Sequence, residues 1–368
     1  MLSPERIEEL RNTAEMIIEP LEDYILADVT RKVAAAGKFT SSTAYMIWRL
    51  KELGVNDAKI EKEIIKRLRI DNDKYKKLIE IAAKESFADD YLRLTGKTAK
   101  LEENTYLQRF LDSILNIYDD EHKNIVGTIG FIGPDGAFSD LTTAYRQAAD
   151  YAFNMTSTGL LDYNTAVHNA TRQMAKHGIV RVDYESGVKT EIGAAMRRDV
   201  MGGIGRLQEE ISQRNAIELQ TDGWEISAHF ASAPDHEDIQ GRRYTNEQYQ
   251  KLNEGLKRRI GTLNCGHIAY PVMLNKSQPL YTETELREMK QQNAKGFSYE
   301  GKQMTKYEGT QLMRRCERRY RQLDREEITT IDAKTKEQIK TKKKMLKQKY
   351  MQLCKAGDFK PQYDRFRN

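Results

Sequence analysis

Apolar residues recur at spacings of three and four through most of this chain, and that rhythm commits it to amphipathic helices packed on one another. Ile7, Leu10, Ala14, Ile17 and Leu21 form the first stripe. Pro20 lies inside it and predicts a break or kink, because proline removes an amide donor and crowds the preceding turn. A second helix is expected from Ser41 or Ser42 through Tyr45, Trp48 and Leu53, with Gly54 as its stop. Asp57 is placed to cap a third, with Ile60, Ile64 and Leu68 on one face, and a fourth is expected over Leu78 to Ala88. Short helices with clear stops describe a helical N-terminal domain over residues 1–120.

The rhythm changes between residues 121 and 300. Ile125 to Ile132 is apolar and β-branched, and Pro134-Asp135-Gly136 signals a turn. A helix is expected over Ser157 to His177, with Tyr163, Val167, Ala170 and Met174 aligned and Gly178 as its stop. Ile179 to Tyr184 and Val188 to Ile192 alternate around Glu185-Ser186-Gly187 and predict a hairpin. Ile192, Met196, Val200, Ile204, Leu207 and Ile211 mark another helix, ending before Asp222-Gly223. Trp224 to His229 reads as a strand, and Cys265 to Met273 as an extended segment followed by Pro279. The class is α+β, predominantly α-helical, with a central module built on a small sheet or hairpin. Residues 301–368 form a third part, a charged helical tail. In it Leu312, Cys316, Tyr320 and Leu323, then Ile339, Leu346, Tyr350 and Leu353, make two stripes without sustained heptads.

Hydrophobic residues make up 39% of the chain and charged ones 31%, enough apolar matter for a core under a heavily charged surface. The longest uncharged run, Ile260 to Asn275, is too short for a membrane span. The first twenty residues carry charges throughout, so no secretory leader is expected. Cys265, Cys316 and Cys354 are an odd number on distant segments, which fits a reducing compartment better than a disulfide framework. Charge is unevenly spread. Residues 301–368 hold 20 Lys and Arg against 9 Asp and Glu, net +11, which leaves −6 for the first 300 residues of a chain totalling +5.

Two groups of residues bear on function. The first is His229 in ISAHF, Asp235-His236 in APDHEDIQG, and Cys265-Gly266-His267 in LNCGH. Cys265 and His267 share one face of an extended segment, since strand side chains repeat every two residues. His229, His236, Cys265 and His267 would together supply a tetrahedral zinc set. An open site would instead leave a position for water, with Asp235 or Glu237 as a base, and would make the chain a metal-dependent hydrolase or toxin-like enzyme. The plainer alternative is a set of hydrogen-bonded polar residues locking a loop onto the sheet. Gly202-Gly203-Ile204-Gly205 lacks the spacing and lysine of a phosphate loop and sits in a helical pattern, so it predicts close packing or a kink.

The second group is the basic tail. Arg314, Arg315, Arg318, Arg319 and Arg321 recur on adjacent turns, and Lys342, Lys343, Lys344 and Lys347 follow. Such a surface would neutralise phosphates without reading sequence. The alternative is a solvated helix with internal ion pairs, for which Glu317, Asp324, Glu326, Glu327 and Glu337 stand at helical spacings.

The blocks GIVRVDYESGVKTEIGAAMRRDV (178–200), ISAHFASAPDHEDIQG (226–241), LNCGHIAYPVM (263–273) and YTETEL (281–286) occur in an order that resembles the phage minor capsid protein 2 family. That family is related to the head-morphogenesis proteins of the phage Mu F type. TKYEGTQLMRRCERRYRQLDRE (305–326) is similar to the family's basic helical ending. Ala233, Asp235, Ile239 and Gly266 stand where the family more often has other residues. The resemblance implies a virion protein of the phage head, made in the host cytoplasm and contacting portal protein or major capsid protein, with packaged DNA nearby. It brings no reaction with it. Ser227, His229, Pro234, His236, Gln240, Gly241, Cys265 and His267 are the positions that it marks.

Overall fold

The computed structural model describes residues 2–53, 57–123, 125–133, 135–183, 185–261 and 265–366. Ser3 caps α1 (Pro4–Ile17) by accepting from the Arg6 N–H, and α2 (Glu19–Ala36) follows after Ile18. The expected break therefore falls just ahead of Pro20, which occupies the first turn of α2, where its missing N–H leaves no intrahelical bond unmade. α3 (Ser42–Leu53) runs as expected, and Gly54, its predicted stop, lies outside the described residues.

α4 (Asp57–Thr95) is one long helix where the pattern suggested two, and Asp57's side chain, the expected cap, is outside the described set. The polar stretch between Leu68 and Leu78 contains no glycine or proline to break it. Its side chains are used instead: Asn72 and Lys76 bind Asp119 of α5 (Thr105–Lys123) at 2.6 and 2.7 Å, and the Tyr75 hydroxyl donates to Ala14 O of α1 at 3.1 Å. His122, expected in a solvated turn, falls at the end of α5, its side chain outside the described residues.

After the single turn α6 (Ile125–Thr128), β1 (Ile129–Ile132) pairs with β2 (Phe138–Asp140) around Asp135 and Gly136; Pro134 is outside the described residues. α7 (Leu141–Ser157) and α8 (Tyr163–His177) are capped by Asp140 and Asp162. The helix expected from Ser157 thus starts later, because Asp162 accepts from the Thr165 N–H and sets the first turn there. Gly178 ends it. β3 (Val180–Val182) and β4 (Lys189–Glu191) form the expected hairpin, with Arg181 opposite Thr190, and complete a sheet of order β2-β1-β3-β4; Tyr184 is outside the described residues.

α9 (Ile192–Glu218) follows directly. The glycine cluster lies within it: a Cβ at Gly205 would stand 2.8 Å from Gly261 O, too close for a side chain, whereas one at Gly203 would make ordinary contacts of 3.5 and 3.6 Å with Ile114 of α5 and Ile79 of α4. β5 (Gly223–Ile226), β6 (Arg243–Thr245), α10 (Asn246–Gly255) and β7 (Ala269–Val272) build a second sheet of order β6-β5-β7. α11 (Glu283–Lys295), β8 (Phe297–Tyr299) and β9 (Lys302–Met304) lead into α12 (Lys306–Thr329) and α13 (Ala333–Gly357).

One apolar core runs from Leu2 to Tyr270 and joins the helices to the first sheet. The two stripes of the basic tail face each other in a smaller core that includes Cys316, Tyr320, Tyr350 and Leu353. α12 also packs on α2 and α8. There Arg325 is buried, its guanidinium donating to Ala175 O at 3.1 Å and Lys176 O at 3.3 Å, which satisfies carbonyls at the end of α8. The last turn returns to the first helix: Arg365 binds Glu8 at 2.6 Å, Glu317 at 2.5 Å and Asn12. Among the described residues no helix is long and apolar enough to cross a membrane.

Candidate metal centre

The β5–β7 ladder sets the site. Ile226 lies opposite Ala269, and one residue further the Ser227 N–H donates to Ile268 O at 2.8 Å while Ser227 Oγ accepts from the Ile268 N–H at 2.9 Å. This brings the chain leaving β5 beside the chain entering β7. The loop from β5 to β6 then folds back: the Gly241 N–H donates to Ile226 O at 2.8 Å with φ at +68°, and a Cβ there would stand 2.1 Å from Leu286. Only glycine suits that position. Within the loop, the His236 N–H donates to Ala233 O at 2.9 Å, closing a turn with Pro234 at its second position, where the fixed φ of proline fits.

That turn aims His236 at Cys265 and His267. Cys265 Sγ lies 3.4 Å from His236 Nδ1 and 3.5 Å from His267 Nδ1, and the two Nδ1 atoms are 3.3 Å apart. Each imidazole is held from behind. His236 Nε2 faces Arg258 O at 2.9 Å, and His267 Nε2 faces Gln240 Oε1 at 3.0 Å, with Ser232 Oγ at 3.4 Å. The Gln240 oxygen is identified by the His229 backbone N–H, which can only donate, at 3.1 Å. Since Arg258 O and Gln240 Oε1 accept, both Nε2 atoms carry hydrogens, and each ring in its neutral form turns a bare Nδ1 lone pair inward.

Electrostatics shifts the two rings in opposite directions. Burial, reinforced by neighbouring His229, His236 and Arg258, pushes His267 down to about 2, so the ring is neutral. The Cys265 hydrogen bond raises His236 against the effect of burial. Burial pushes the Cys265 thiol up, but the hydrogen bond shared with His236 and the one from the His267 backbone N–H outweigh it, and the net shift is downward.

Of the four expected ligands, the fold brings three together. His229 Nδ1 is held at 2.9 Å by Phe230 O, and its ring packs on that of His267 with centroids 4.3 Å apart, its Nε2 buried without a hydrogen-bond partner. The two acids considered as bases are engaged elsewhere. Asp235 pairs with Arg258, which lowers its pKa, and Glu237 accepts from Asn293 Nδ2 at 2.5 Å. Sequence reasoning missed Ser232 and the Arg258 carbonyl. It also missed Glu225, fully buried in β5, which accepts from Arg243 at 2.8 Å and from the Leu280 N–H at 2.7 Å. A lone acid in an apolar strand pattern was the one available signal.

The basic residues separate into two kinds. Arg321 pairs with Glu15 at 3.1 Å, Lys343 with Asp324 at 2.5 Å and Glu327 at 2.9 Å, and Arg319 with Glu326 at 2.9 Å; Arg314 is half-buried and lies near Glu8. Arg315, Arg318, Lys342 and Lys344 are exposed, and Lys347 is half-buried.

A search of curated proteins and of solved structures found no match. A family model described as phage minor capsid protein 2 matches residues 2–355, so it takes in the N-terminal helices, the two larger sheets, the β8–β9 pair and nearly all of the helical hairpin. The chain belongs to the phage minor capsid protein 2 family.

Proposed function

We propose that this protein is a structural, non-catalytic part of the virion head, seated at the portal or the inner head surface against portal or major capsid protein. Its α12–α13 hairpin touches packaged DNA. Family membership supports the head location. The observation that carries the DNA contact is the exposure of Arg315, Arg318, Lys342 and Lys344 on a hairpin whose other cations include several already neutralised by acids. These four are exposed and stand ready to neutralise phosphates. The burial of the His/Cys cluster and the engagement of Asp235 and Glu237 support a structural role over a hydrolytic one.

Mass spectrometry of purified particles, with cross-linking to portal protein, tests the location; particles without this chain would refute it. Duplex binding by the full chain over a series of salt concentrations tests the contact. Each neutralised phosphate contributes about −0.9 to the slope of log K against log salt, so replacing all four cations by alanine should flatten it by up to about 3.6. An unchanged slope would remove the hairpin from the DNA interface.

A further inference from the structure

We infer that His236 Nδ1, His267 Nδ1 and Cys265 Sγ bind one zinc ion, which clips the β5–β6 loop to the chain entering β7. The first support is dimensional. Zinc–nitrogen bonds of about 2.0–2.1 Å and a zinc–sulfur bond of about 2.3 Å, at the tetrahedral angle, separate two nitrogens by about 3.3 Å and nitrogen from sulfur by about 3.6 Å. The triangle has edges of 3.3, 3.4 and 3.5 Å. Those edges also fit hydrogen bonds, so the decision falls to the count of protons.

Both Nε2 hydrogens are committed to Arg258 O and Gln240 Oε1. With both rings neutral, only the thiol brings a proton to the triangle, and it serves one nitrogen. The second Nδ1 lone pair is then left facing two electron-rich atoms in a site where the three residues are 2%, 2% and 8% exposed. A buried acceptor left unsatisfied in this way is destabilising. A divalent cation satisfies all three atoms at once and displaces the thiol proton to solvent. Two imidazoles and a thiolate are the donors that suit zinc.

The surroundings are those of a ligand shell. Metal-bound histidines generally donate their other ring N–H to a carbonyl or carboxylate, and here a backbone carbonyl and an amide oxygen fill that role. The His267 backbone N–H points at Cys265 Sγ from 3.4 Å, a contact that favours sulfur as an anion. His229 remains outside the shell, since Phe230 O holds its Nδ1. The deep burial makes the ion a clip joining segments that the short strands of the second sheet hold only at their bases. Metal binding does not depend on where in the particle the chain sits.

The test uses the full chain, expressed with added zinc and dialysed without chelator. Elemental analysis should give about one zinc per chain, falling at least roughly tenfold in Cys265→Ser or His267→Ala and staying unchanged in His229→Ala. Gln240→Leu should weaken zinc roughly 10–100-fold while leaving all three ligands in place. If the ligand variants fail to fold, cobalt substitution of the unaltered chain decides. It should give a thiolate-to-cobalt charge-transfer band that survives Cys316→Ser/Cys354→Ser. A folded chain that takes up neither metal, or a metal retained after Cys265→Ser, overturns the inference; zinc lost in His229→Ala overturns the three-ligand assignment.

Discussion

Replacing Arg365 with methionine would take the cation out of a site surrounded by acceptors while keeping most of the side chain's packing. The guanidinium meets Glu317 Oε2 at 2.5 Å, Glu8 Oε1 at 2.6 Å and Asn12 Oδ1 at 2.9 Å. The Glu317 side chain is 3% exposed, so it cannot recover its lost partner from water. Among the described residues, the hydrogen bond it keeps there is from the Tyr350 hydroxyl, at 3.2 Å. Stranding a buried charge in this way costs about 3–5 kcal/mol. At about 2.1 cal/mol/K of unfolding entropy per residue, a cooperative chain of 368 residues loses about 4–6 °C in Tm. Thermal unfolding followed by circular dichroism measures this. The double variant Arg365→Met/Glu317→Gln removes both charges together and should recover at least half of the loss, because the pair is coupled. A single-variant shift under about 1 °C, or strictly additive effects in the double variant, would refute the claim that this contact locks Arg365 to α1 and α12.

Gly241→Ala should destabilise the β5–β6 loop. The left-handed backbone alone costs an alanine about 1–2 kcal/mol, before the overlap with Leu286, and adding Leu286→Ala should relieve only the overlap. An unchanged Tm in the single variant would show that the loop can relax. Acid stability should depend on Glu8. Burial alone would raise this group, but Arg11, Arg365 and Arg314 outweigh burial and lower its pKa below the ordinary 4.5. A lowered carboxylate contributes stability that is full above its unfolded pKa and lost as pH falls through the folded one. Glu8→Gln should therefore flatten the fall in Tm below pH 4.5, and equal slopes in both proteins would contradict that.

Residues whose local chemistry matched their tertiary role were readable in the sequence. Gly178 stopped α8, the alternation around Glu185-Ser186-Gly187 gave the β3–β4 hairpin, and the stripe from Ile192 to Ile211 gave α9. Errors arose where distant partners decided. The polar run in α4 resembled a gap because Asp119, the residue that engages it, lies on another helix. The start of α8 was set by the Asp162 cap and not by the apolar stripe. In the site, the strand period placed Cys265 and His267 on one face, and His236 joined them through the Pro234 turn. Nothing local indicated that Phe230 O would hold His229 away, or that Arg258 would supply a backbone carbonyl. The lysine and arginine runs likewise gave no sign of which cations would find acids, since Glu15 pairs with Arg321 across most of the chain.

The contacts between Asn12, Gln362 and Arg365 also have a bearing on biosynthesis. They join residues 350 or more positions apart, among the most non-local contacts that a chain of this length allows. The ribosome delivers α1 long before Arg365, so the early helices leave the exit tunnel with Glu8 and Asn12 still lacking that partner. Closure over such a separation is entropically slow. The closed shape is thus available only once Arg365 has been made, and a product cut short before that residue would arrive for particle assembly with this latch open.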